Sequence, residues 1–204
     1  MKTPFCIAAA VAALLVPTVS LANSAATPTL PQEAAVTQQA TPSAAEVLAN
    51  IETVSPVNLI YVVSEYWNAG NKLQAAFWYY VWQIRTEPWA QTDPEFARAR
   101  LALNQNFGST INSWIFADPE LVVAISERAM SFEPRLPLWN RMPEGMSAEQ
   151  WEQLVQATRV AYANDMRGAF AQTPPDQIRA LRQQNGLPVG TLTDIGLPLP
   201  EDWR

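Results

Sequence analysis

Residues 75–82 read AAFWYYVW, eight apolar positions in succession, and this run constrains the fold more than any other feature of the chain. In the helix expected over residues 71–85, Leu73, Phe77, Tyr80 and Ile84 share one face, while Ala75, Trp78, Tyr79 and Trp82 occupy the others. A helix that is apolar all round must be enclosed by other elements. The run is also far too short to cross a bilayer, which takes about 20 apolar residues. It therefore predicts the interior helix of a packed bundle, and the remaining segments have to supply its walls.

Those walls are predicted from local signals. Residues 44–51 read as a short helix. Ser55 and Pro56 open a second one running to about residue 69, and Gly70 closes it. Pro88 is expected to end the apolar helix, and Asp93, Pro94 and Glu95 start the next with an acidic first turn. A break is expected at Gly108. Asp118 and Pro119 open a helix to about Phe132, followed by an irregular connection marked by Pro134, Pro137 and Pro143. Ser147 and Gln150 form a capping box ahead of a helix that continues to about Phe170. A last short helix passes through Ile178 and Leu181 and stops at Asn185 and Gly186, leaving an extended tail that packs back through Ile195, Leu197 and Trp203. No segment alternates as a strand does, so the fold class is all-α, an antiparallel bundle of about six or seven helices.

The N-terminus carries a different kind of information. Lys2 precedes an apolar stretch over residues 5–16 that Pro17 closes, and Ser20 and Ala22 place small residues where a signal peptidase requires them. This is the grammar of a secretory signal. The expected organisation is a signal at 1–22, a disordered linker at 23–43, a helical core at 44–172, and a short helix with extended tail at 173–204. The protein is thus expected to be exported to the periplasm or secreted, with no transmembrane segment once the signal is removed. Cys6, the only cysteine, lies inside the signal, so the mature part forms no disulfide.

The residues Tyr66, Gly70, Ala75 and Tyr79 stand in the spacing of the turn and second helix of a tetratricopeptide repeat, which this segment resembles. Residues 129–134 are similar to the segment that ends such a repeat. One repeat length on, the four positions are Arg100, Asn104, Ser109 and Ser113, none of which fits. The resemblance therefore implies a single helical hairpin of roughly 30 residues in an exported bacterial protein, and not an array.

Much chemistry is excluded by composition. The chain has no histidine, so Ser-His-Asp and Cys-His catalysis and histidine zinc sites are absent, and its dispersed glycines form no phosphate loop. No cofactor and no metal are expected. A formal charge of −6 argues against nucleic acid as partner. An enzyme would have to rely on carboxylates, as glycosidases do. Glu65, between Tyr61 and Trp67, is the one catalytic candidate; its structural alternative is an ion pair with Arg85. Glu144 and Asp118 are further acids, the latter already explained as a helix cap. Among the eight tryptophans, Trp89, Trp139 and Trp203 lie beside prolines or in loops and are the candidates for exposure. Trp139, Asn140 and Arg141, with Trp89, form the proposed binding set, because Trp and Arg are enriched at interface centres. The expectation is an exported, non-enzymatic protein-binding protein whose partner is another envelope or effector protein, in one version an immunity-type inhibitor. The alternatives are a carboxylate-dependent cell-wall glycan hydrolase and a carbohydrate- or peptide-binding module.

Overall fold

The computed structural model describes residues 41–203; the signal at 1–22 and nearly all of the linker lie outside the described residues. Seven α-helices are present among the described residues: α1 (Ala44–Ala49), α2 (Leu59–Asn68), α3 (Lys72–Thr92), α4 (Pro94–Ile115), α5 (Pro119–Phe132), α6 (Ala148–Gln172) and α7 (Pro175–Gln184). Short 3-10 turns lie at Pro56–Asn58, Glu133–Arg135 and Glu201–Trp203. There is no strand among the described residues, and none of their helices is long and apolar enough to cross a membrane.

Helix starts follow the sequence closely because caps are local. Ser43 and Glu46 form a capping box at α1, as Ser147 and Gln150 do at α6. Asp93 accepts from the N–H groups of Glu95 and Phe96, and Asp118 accepts from that of Leu121. Each cap satisfies donors that a helix start leaves without partners. Ser55 makes no such bond, and the chain after it passes through a 3-10 turn before α2 begins.

Helix α3 is the axis. Ala75, Phe77, Tyr79, Val81 and Trp82 have no exposed surface, and α2, α4, α5 and α6 all pack on it. It also continues through Pro88 to Thr92, contrary to the expected stop. Proline removes one helical hydrogen bond and crowds the preceding turn. Continuation brings Trp89 against Trp139 and Trp151, ring centroids 4.6 and 4.8 Å away. Burying a side chain of this size is worth several kcal/mol in a core, on the order of 3–5, and that outweighs the local cost.

Gly108 likewise does not break α4, which runs past it. The glycine serves a packing need. A Cβ at this position would lie 2.4 Å from the Tyr79 hydroxyl, which donates to Asn104 Oδ1 at 2.6 Å. Burial pushes the Tyr79 hydroxyl up to about 12, so it stays protonated and donating. Replacing Gly108 with alanine is expected to cost about 1–2 kcal/mol net, because overpacking of about 1–3 kcal/mol exceeds the gain in helix propensity of about 0.5–1. In a Tyr79→Phe background the same change should become neutral or stabilising, a coupling that a double-mutant cycle by urea denaturation measures.

The segment after α7 is an ordered strap across the start of α3. Leu73 N–H donates to the Ile195 carbonyl at 2.9 Å, and the Gln74 side chain donates to the Pro198 carbonyl at 2.8 Å. Asp194 pairs with Lys72 and accepts from the Trp114 indole at 3.0 Å. Gly196, at φ +74°, crosses so closely that a Cβ would lie 2.3 Å from the Gly70 carbonyl oxygen. Trp203 stacks on Phe77 at 5.4 Å and meets Trp78 edge-on. Ile195 and Trp203 pack on the core as expected from the sequence; Leu197 does not, being exposed, and Leu199 is the buried leucine of the strap.

Candidate functional site

The far end of α3 carries three arginines, two glutamates and a group of tryptophans with little contact to solvent. Arg85 and Glu133 form an ion pair at 3.3 Å, with side chains only 3% and 2% exposed. Arg159 of α6 grips the same carboxylate with two bonds, Nε to Oε2 at 2.7 Å and Nη2 to Oε1 at 3.1 Å. Such a fork fixes orientation as well as charge. Arg85 also donates from Nη2 to the Pro137 carbonyl. Burial holds the Arg85 guanidinium below its ordinary value, and Glu133 opposes that. Two residues on from Arg85, Glu87 pairs with Arg100 at 2.9 Å; burial pushes its carboxyl up, and Arg100 pulls it back.

Beside this network lie the aromatic rings. Trp89 is the hub, flanked by Trp139 and Trp151 and by Phe96 at 6.1 Å, with Val155, Leu138 and Met146 closing the group. Trp139 comes from the irregular connection between α5 and α6, which is pinned at two points. The Asn140 N–H donates to the Glu52 carbonyl at 2.7 Å, and the Trp139 indole donates to the Thr53 carbonyl at 3.3 Å. Arg141 then lies over the outer side of Trp139, 5.6 Å from the ring centroid. Arg141 and Met142 are exposed.

The structure thus brings together Trp89, Trp139, Asn140 and Arg141, the four residues proposed as a binding set. It corrects their exposure. Trp89 is 8% exposed because α3 continues past Pro88, Trp139 is half-buried, and Trp203 belongs to the core at the opposite end of α3. Only Arg141 and the Asn140 position are open to solvent.

Glu65 is corrected more thoroughly. Instead of a buried acid or a partner for Arg85, it is an exposed residue whose carboxylate accepts the Ala44 N–H at 2.7 Å, capping α1. The residue that pairs with Arg85 is Glu133, which no local sequence pattern marks. One signal was available: an arginine in an all-apolar helix requires a buried acid. Its position in the chain is a non-local fact. Glu65→Ala is expected to cost about 0.5–2 kcal/mol in thermal unfolding, the scale of a lost helix cap.

A crevice with a cavity volume of about 10 Å³ lies among Arg85, Glu133, Arg159, Trp89, Trp139 and Trp151. That is room for about one water-sized particle, so no pyranose ring enters, and the tryptophan faces are used on one another. No group of three or more metal-ligating side chains occurs among the described residues. No protein-family model, curated protein or solved structure matches the chain.

Proposed function

We propose that this protein is an exported, non-enzymatic interaction protein that engages a basic partner protein through the connection between α5 and α6. The observation that carries the reading is the pinned Trp139–Arg141 turn. A loop otherwise free of regular structure is held at Trp139 and Asn140 by two backbone carbonyls and by the tilted ring contact with Trp89, and it presents Arg141 and Met142 outward. A loop already ordered loses little entropy on binding, and loops on rigid scaffolds are where recognition concentrates.

Charge supports the nature of the partner. Glu52, Glu144, Glu149 and Glu152 are exposed on or beside this loop, in a chain of net charge −6, and an acidic rim steers a basic surface toward Arg141 and Met142. An immunity-type inhibitor covering the basic cleft of an effector is the concrete form of the proposal. The apolar stretch at residues 5–16 supports export to the periplasm, and the spacing of Tyr66, Gly70, Ala75 and Tyr79 supports reading α2 and α3 as a tetratricopeptide-like hairpin. Nothing in the geometry favours the hydrolase alternative, since Glu65 is occupied as a helix cap.

The test is affinity capture from envelope extracts after chemical cross-linking, comparing the wild-type protein with an Arg141→Glu, Met142→Asp variant of unchanged circular dichroism. One basic protein captured by the wild type and lost with the variant is the expected result. Equal capture by both proteins, or none by either, removes the assignment.

A further inference from the structure

We propose that the crevice between α3, the Glu133–Arg135 turn and α6 binds a monovalent inorganic anion of halide size, chloride in a saline compartment. The first argument is a count of charge. Arg85 and Arg159 share a single carboxylate, that of Glu133, and no other carboxylate bonds to either guanidinium among the described residues. Two cations and one anion, all largely buried, leave one positive charge uncompensated where low polarity makes such an imbalance costly.

The second argument concerns donors. Arg85 spends Nη1 on Glu133 and Nη2 on the Pro137 carbonyl, but its Nε–H is buried and unpaired. Trp151, which lines the same crevice, has a buried indole N–H that is also unpaired. Both are donors. The Glu133 oxygens already accept three N–H bonds. The missing group is therefore an acceptor, and the surplus charge makes it an anionic one. A water would take the hydrogen bonds and leave the charge. Two other buried indoles, those of Trp78 and Trp82, also lack partners, but neither lines the crevice.

The third argument is size. A volume of about 10 Å³ is on the scale of a single small particle, which speaks against phosphate or sulfate and for a monatomic anion. Trp89 and Trp151, both buried, line the crevice, and an apolar wall strengthens the attraction of an anion to Arg85 and Arg159.

Two measurements on the full mature chain test this. In crystals soaked in sodium bromide, one anomalous bromide peak is expected within hydrogen-bond distance of Arg85 Nε and Trp151 Nε1; a peak there without anomalous signal is a water and overturns the proposal. In solution at constant ionic strength, replacing gluconate by chloride should raise the melting temperature in a saturable way, as expected for a ligand that binds only the folded state. An unchanged melting temperature overturns it. Variants at Arg85 would disturb folding itself, so Trp151→Phe is the informative change, removing one donor while keeping an aromatic ring. It should weaken the apparent chloride affinity about ten- to a hundredfold, the scale of one hydrogen bond to an ion. An unaltered chloride dependence in this variant places the ion elsewhere and overturns the assignment.

Discussion

Replacing Glu133 with alanine is expected to cost about 3–5 kcal/mol of folding free energy, the scale of leaving buried charges without their partner. This would consume much of the stability of a domain whose total is on the order of 5–15 kcal/mol. The reason lies in the geometry: one carboxylate, hidden from solvent, accepts from both Arg85 and Arg159. Its removal leaves two guanidinium groups side by side, with the Pro137 carbonyl still accepting from Arg85. Urea denaturation of the purified variant measures the loss. A joint replacement of Arg85, Glu133 and Arg159 by Met, Leu and Met should recover most of it, because apolar side chains of similar volume often replace a buried ionic group at little cost. If Glu133→Ala proves nearly neutral, the network is more hydrated than its burial indicates.

The second large effect is expected at Gly196. Its φ of +74° is a region that residues with side chains enter at a cost of about 1–2 kcal/mol. A Cβ there would also meet two backbone atoms, the Gly70 carbonyl oxygen at 2.3 Å and Asn71 Cα at 2.6 Å. Neither can swing aside as a side chain would. Gly196→Ala is therefore expected to lift the strap from the start of α3, with a total loss of about 2–5 kcal/mol once overpacking is included. Hydrogen exchange should show Leu73 and residues 190–203 losing protection, while α6 keeps its own. Acid should act in the same direction. The Lys72 ammonium and then the Trp114 indole hold the Asp194 carboxyl below its usual range. The stability this contributes is present above the ordinary aspartate value and is lost as pH falls through the lowered one. Asp194 is more than half exposed, so its share is small beside that of Gly196.

These cases show what could be read from the sequence. The caps at Ser43, Asp93, Asp118 and Ser147 could be read because a cap bonds only to its own first turn. The interior helix was visible for a similar reason, since an apolar residue on every side has one physical solution. Pro88 and Gly108 misled because each is a local breaker whose cost is met by a distant partner, Trp139 and Trp151 for one and the Tyr79 hydroxyl for the other. The site divided along the same line. Trp139 and Arg141 stood out as loop residues, while Glu133 was concealed in a run that looked like an ordinary helix end. An isolated buried arginine announces that an acid must exist, and only the packing of α5 and α6 on α3 says which.

The strap also has a consequence for the order in which the molecule can be completed. Residues 187–203 lie C-terminal to every helix, yet they bond to Leu73 and Gln74 and bring Trp203 onto Phe77 and Trp78. A chain that emerges from its N-terminus onward therefore presents the first turn of its central helix open until the final stretch follows. Contacts so distant in sequence form late, because a long loop must close before they repay it. Under the export proposed above, such delayed closure would keep the earlier helices pliable until residues 187–203 are free to dock.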